Sequence, residues 1–176
     1  VTFRLLTYNI QRGGRGREAF LAAVITACAP DLVLLQEATH PETVEHLAES
    51  AGMRARGCRP GSSLAFLSRS PVAVFRWHKP RWARHAFLEV TMEGGGPTFF
   101  GVHLSAVHSN WTERRRLIEL RALLEYVQSS AASPRHVVAG DFNTLASGEA
   151  LDLARLPPRL RIITLLTGRR IRWQTI

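Results

Sequence analysis

The chain has 176 residues, 45% of them hydrophobic and 21% charged, which is about one globular domain's worth of sequence and excludes a disordered or fibrous chain. Its longest apolar runs, such as Leu32 to Leu35, are far too short to make a membrane-spanning helix. The formal net charge is +9, from 23 basic and 14 acidic residues. An arginine excess of this kind suits phosphate or nucleic acid, but its scatter along the whole chain is better explained by an Ala- and Arg-rich coding bias.

Basic residues cluster at Arg12 to Arg17, Arg114 to Arg116 and Arg155 to Arg172, and there a substrate role stays open. Cys28 and Cys58 lack metal-type spacing and read as free thiols. The first residue is Val1, and Arg4 is not followed by an apolar stretch with a small-residue cleavage site. No signal peptide is visible, and the cytoplasm is the default compartment.

In chain order, Thr2 to Asn9 reads as a strand closed by a loop at Gly13-Gly14. Arg17 to Cys28 reads as a helix with Phe20, Val24 and Cys28 on one stripe and Pro30 as its stop. Asp31 to Gln36 is a short continuous apolar run, as in a strand covered on both faces. Pro41 suits a first helical turn, and Val44, Leu47, Ala48 and Ala51 form a stripe ending at Gly52. The next stretch is strand-rich: Ser63 to Ser68, Val72 to Trp77, His85 to Thr91 and Thr98 to Leu104, broken by Ser70-Pro71, Lys79-Pro80 and Gly94-Gly95-Gly96. A long helix is expected from Thr112 to Gln128, its stripe formed by Leu117, Leu120, Leu124 and Val127. Arg135 to Ala139 then reads as another buried strand, ending at Gly140-Asp141. Hairpins mixed with helices favour stacked mixed sheets covered by helices, and no repeat or linker divides the chain.

Polar residues recur just beyond the apolar strands. Asn9 follows Leu5-Leu6-Thr7-Tyr8, Glu37 follows Leu34-Leu35-Gln36, and His103 ends Phe99-Phe100-Gly101-Val102. Asp141 and Asn143 follow Val137-Val138-Ala139-Gly140. Strand ends present rigid side chains to one cleft, and carboxylates, carboxamides and an imidazole suit a hard cation plus a phosphate group. Taken singly, each has a plainer account: a turn residue at Asn9, Asp141 or Asn143, or a satisfied core histidine at His103.

As an ordered set, Thr7-Tyr8-Asn9-Ile10, Leu34-Leu35-Gln36-Glu37, Gly101-Val102-His103-Leu104 and Gly140-Asp141-Phe142-Asn143 resemble successive signatures of the endonuclease/exonuclease/phosphatase superfamily, the deoxyribonuclease I-like fold. Leu64 to Val72, through Arg69-Ser70-Pro71, is similar to the family's strand-turn segment. The resemblance implies an α+β chain, a four-layer α-β-β-α sandwich forming a single domain over residues 1–176. It also implies a phosphodiesterase or phosphatase that hydrolyses a phosphoester by activated water, with Mg²⁺ or Mn²⁺ as cofactor. The substrate would be a nucleic acid, a phospholipid headgroup or an inositol phosphate. Glu37 would be the principal metal ligand with Asn9 beside it or acting through water, Asp141 would orient or activate water, Asn143 would hold phosphate or that water, and His103 would stabilise charge on a phosphoryl oxygen. A histidine at the third signature resembles the branch of deoxyribonuclease I, sphingomyelinases and inositol-phosphate phosphatases more than that of exonuclease III-type enzymes.

The family's closing Asp-His pair has no match: no Asp or Glu follows Asp152 and no His follows His136. The segment Ile171 to Ile176 is apolar-rich, and family members continue for several more strands. These features imply a domain incomplete at its C-terminus, self-association that covers the missing strands, and an alternative function as a catalytically impaired relict with a metal- and phosphate-binding cleft. An exposed helix face is the expected setting of Arg114, Arg115 and Arg116, and core or rim packing that of Trp77, Trp82 and Trp111.

Overall fold

A computed structural model describes residues 2–81, 83–106, 110–129, 135–144 and 157–167. Strand β1 (Leu5–Asn9) leads through a short 3₁₀ turn (Arg12–Gly14) into helix α1 (Glu18–Cys28). Glu18 lies at the positive end of the α1 dipole, and backbone N–H groups hold its carboxyl below the usual range. The helix ends where Ala29 turns left-handed and donates its N–H to Ile25 and Thr26, with Pro30 next. The expected stripe of α1 is corrected: Phe20 is 67% exposed, and the buried face is Leu21, Ala22 and Ile25. The helix is apolar nearly all round, so two series at four-residue spacing compete, and packing on the sheet selects one.

Strand β2 (Leu32–Gln36) is buried throughout, as its unbroken apolar run predicts. Helix α2 (Pro41–Ser50) has proline in its first turn and buries Val44, Leu47 and Ala48. There follow β3 (Ala55–Gly57), β4 (Leu64–Ser68), β5 (Val72–His78), β6 (Phe87–Met92) and β7 (Thr98–His103). Helix α3 (Asn110–Ser129), β8 (His136–Asp141) and α4 (Pro158–Thr167) complete the described elements. The pattern reading missed β3, too short for a periodic signal, and α4. Trp82 and the segment Ile171 to Ile176 lie outside the described residues, as does most of the Arg155-to-Arg172 cluster.

The strands form two sheets, in the orders β1-β2-β4-β3 and β5-β6-β7-β8. Each has one parallel pair at its margin. Strand β1 runs parallel to β2 with Asn9 opposite Gln36, and β7 runs parallel to β8 with His103 opposite Asp141. The remaining pairings are antiparallel. Leu32, Leu34, Leu64 and Phe66 of one sheet pack against Leu88, Val90 and Phe99 of the other. Helices α1 and α2 cover the outer face of the first sheet through Leu21, Ile25, Val44 and Leu47 over Val33, Leu35 and Leu67. Helix α3 covers the second sheet through Leu120, Leu123 and Val127 over Phe100 and Val102. The result is the four-layer α-β-β-α sandwich of the deoxyribonuclease I-like type. No helix among the described residues is long and apolar enough to cross a membrane.

Three further expectations are corrected in this half. Strand β8 is exposed to half-buried along its length, because among the described residues β7 is its only sheet neighbour. In α3, Leu124 is 43% exposed while Glu113, Arg116 and Glu119 are buried. Arg116, expected on the surface, has 0% exposure and pairs with both carboxylate oxygens of Glu113 at 2.9 and 2.7 Å. Charged residues thus occupy part of the packed face of α3, a choice that hydrophobic periodicity cannot detect.

Candidate active site

Parallel pairing places the C-terminal ends of β1 and β2 side by side, and likewise those of β7 and β8. The facing of the two sheets then brings all four strand ends to one edge of the sandwich. Asn9 is the last residue of β1, and Glu37 directly follows β2 with a left-handed backbone at φ 56°. His103 and Asp141 end β7 and β8.

Asn9 joins the sheets. Its Nδ2 donates to Glu37 Oε1 at 3.1 Å and to Asp141 Oδ2 at 3.0 Å, while its Oδ1 accepts the Gln11 N–H at 2.9 Å. The second Glu37 oxygen accepts the Arg12 N–H at 2.7 Å, so both oxygens are held. That loop is strained, with positive φ at Gln11 and Arg12, and Arg17 braces it by donating to the carbonyls of Ile10 and Gln11. Gln36 is buried and structural: its Nε2 donates to Thr7 Oγ1 and to the Leu34 carbonyl, both at 3.0 Å.

On the other sheet, Asp141 Oδ1 accepts the N–H of Asn143 at 2.9 Å, and Asn143 Nδ2 donates to the Leu104 carbonyl at 2.7 Å. Asn143 is left-handed at φ 48°, a conformation asparagine tolerates. Gly140 is dictated by proximity: at φ 145°, a Cβ there would lie 2.1 Å from the Val102 carbonyl oxygen. Only glycine lets β8 approach β7 closely enough to set Asp141 beside His103. His103 is half-buried, its Nδ1 lies 3.1 Å from Ser63 Oγ, and its ring stacks on His85 at 5.0 Å.

The structure therefore brings Asn9, Glu37, His103, Asp141 and Asn143 to one edge of the sandwich. Pattern reading missed Ser63 and His85, which appeared only as strand starts; nothing in their local sequence marks them as partners of His103. It also missed Glu119 of α3, 3% exposed, whose carboxylate accepts the N–H groups of Arg84, His85 and Ser105 and the Ser105 hydroxyl. Glu119 ties the β5–β6 loop to the segment after His103. Burial, and after it the neighbouring His103, holds the His85 imidazole down to about 4, so that it is neutral at pH 7. Of the tryptophans, Trp77 is half-buried and donates to the Leu64 carbonyl at 3.1 Å, whereas Trp111 is 58% exposed with Arg115 over its ring.

The model of the Endonuclease/Exonuclease/phosphatase family matches residues 6–173. No curated protein matches the chain by sequence. Among solved structures, it is similar to D. rerio TDP2 complexed with single strand DNA product (20% identity, TM-score 0.65, covering 82% of this chain and 62% of that one). It is also similar to sphingomyelinase C from Streptomyces griseocarneus (19% identity, TM-score 0.63, 85% and 67% covered). A third is the beta-hairpin deletion mutant of beta toxin from Staphylococcus aureus (12% identity, TM-score 0.65, 93% and 72% covered). At these identities the likeness is one of fold, and the chain spans less than two thirds of the length of the D. rerio TDP2 structures.

Proposed function

The chain belongs to the Endonuclease/Exonuclease/phosphatase family, and from that premise we propose that it is a divalent-metal-dependent phosphodiesterase or phosphatase that hydrolyses a phosphoester with activated water. The observation that carries this reading is the Asn9 amide group, which links Glu37 on one sheet to Asp141 on the other. Such a clasp draws two carboxylates together at rigid strand ends, an arrangement with a cost in charge repulsion that a packing role alone does not explain.

The donor set fits a hard cation. Carboxylate oxygens, with solvent and substrate completing the shell, are what Mg²⁺ or Mn²⁺ selects. Glu37 is the principal ligand in this reading. Asn9 turns its nitrogen toward the carboxylates, so as placed it holds them together, and the ligand role expected of it requires the amide to turn over. A cation bound there supplies positive charge against the phosphoryl oxygens.

The chain's own residues do the rest. Asp141, fixed by donors on both oxygens, orients the attacking water. Asn143 uses one amide hydrogen on Leu104 and has a second for a phosphate oxygen or that water. His103, its Nδ1 engaged by Ser63, presents Nε2 to a phosphoryl oxygen and stabilises the charge that develops on it. The fold likeness to a DNA-bound protein and to a sphingomyelinase supports a nucleic acid or a phospholipid headgroup as the substrate class.

The test is hydrolysis of bis(p-nitrophenyl) phosphate with Mg²⁺ or Mn²⁺, beside Asp141→Ala, Glu37→Gln and a chelator control. Turnover that needs metal and falls at least about 10²-fold in each variant is expected. A folded chain with no turnover above Asp141→Ala overturns the catalytic reading.

A further inference from the structure

A cavity of about 260 Å³ opens beside the cleft, between the β3–β4 and β5–β6 loops. Two of its lining residues are the ones that touch His103: Ser63 through its hydroxyl, and His85 through ring stacking. The charged residues around it are Arg59 from the first loop and Lys79 and Arg84 from the second, and no carboxylate is among the described lining residues. Some arginines elsewhere are held by local partners: Arg56 by Glu45, Arg116 by Glu113, Arg17 by backbone carbonyls and Arg115 by Trp111. The guanidinium groups of Arg59 and Arg84 make no ion pair among the described residues. Exposed cations brought from two loops to one concavity repel each other, and an anion between them removes that cost.

We infer that this cavity is a second-phosphate subsite, which receives a phosphate group of the substrate adjacent to the phosphoester held at His103. The inference rests on the phosphoesterase reading of the cleft. At about 260 Å³ the cavity lies at the low end for a ligand pocket, which suits one group of a larger substrate. Its neutral histidine supplies a hydrogen bond while the Ser63 hydroxyl stays on His103, and the arginines supply planar, bidentate contacts to phosphate oxygens. Its charge disfavours a quaternary ammonium headgroup, which binds in cation-attracting aromatic cages. Substrates with two neighbouring phosphates, a nucleic acid strand or an inositol bisphosphate, satisfy the same chemistry.

The test is binding, measured by titration calorimetry in EDTA so that it does not depend on turnover. The probes are the trinucleotide dTdTdT, inositol 1,4-bisphosphate and the single-phosphate control bis(p-nitrophenyl) phosphate. Arg59→Gln/Arg84→Gln should weaken one or both two-phosphate probes at least about tenfold. The control probe should change less than about twofold. Arg114→Gln/Arg115→Gln removes the same charge from α3 and should leave all probes unchanged, with circular dichroism confirming that both variants are folded. A loss confined to the trinucleotide assigns a nucleic acid, and one confined to the bisphosphate assigns an inositol phosphate. Equal losses in both double variants, or none in the first, overturn the subsite. If the two-phosphate probes respond to Arg59 and Arg84 while bis(p-nitrophenyl) phosphate is never hydrolysed, the subsite stands and the catalytic reading fails.

Discussion

Replacing Glu119 with glutamine removes a single acceptor where α3 meets the cleft loops. The carboxylate takes the N–H groups of Arg84 at 2.9 Å and His85 at 3.1 Å and the Ser105 hydroxyl at 2.9 Å on Oε1, and the Ser105 N–H at 2.7 Å on Oε2. A glutamine oxygen at the Oε1 position keeps the first three bonds but sets its own amide hydrogens against the Ser105 N–H. One buried donor then goes unsatisfied, which costs about 1–3 kcal/mol, and the other bonds lose their charge assistance. Relief from burying a charge offsets part of this, but that burial is already compensated by all four donors. The net expectation for Glu119→Gln is a loss of about 2 kcal/mol in equilibrium urea unfolding at pH 7, with an unchanged m-value. The Glu119 charge also raises the His85 imidazole, so its removal should leave His85 no higher than about 4, which a proton NMR titration reads directly. A stability change under about 0.5 kcal/mol, or a stabilisation, would refute the assignment of Glu119 as the tie between these segments.

Because His85 titrates near 4 when folded and near 6.5 when unfolded, protons favour the unfolded chain between those values. Its contribution is intact above about pH 6.5 and is lost as the pH falls toward 4. Allowing for partial exposure, the loss is about 2 kcal/mol, and His85→Gln should flatten that part of a urea-stability profile against pH. Gly140→Ala should cost at least about 3 kcal/mol or prevent folding, since its methyl has no room against Val102; a variant within about 1 kcal/mol of the parent would place β8 elsewhere. Arg116→Met should cost about 3–5 kcal/mol by stranding Glu113, and adding Glu113→Leu should recover most of it in the same unfolding assay. Equal stability of the single and double variants would sink that pairing.

Much of the frame was legible because it rests on local chemistry. The run Leu32 to Gln36 announces a strand buried on both faces, and Pro41 opens α2 where a missing N–H does no harm. The candidate site residues could be picked out for a related reason: each lies at or just beyond the end of an apolar strand, and the strand ends come in a recognisable order. The buried face of α1 was not legible, because Phe20 with Val24 and Leu21 with Ile25 fit a helical period equally well. Nor was the charged packing of α3, where Glu113 and Arg116 satisfy each other out of water and so escape any rule built on hydropathy.

What the sequence determined by itself is most of the elements, though not β3 or α4, and the polar residues at their ends, since propensity, punctuation and chain order are properties of neighbours. Only the tertiary structure decided which of those ends meet. Asn9 and Asp141 are 132 residues apart, and their 3.0 Å contact exists because each sheet carries one parallel pair at its margin and the sheets face each other. Ser63 and His85 became partners of His103, and Glu119 a tie between loops, through the same long-range packing. Contacts of that kind depend on how layers stack, and no local pattern of side chains encodes them.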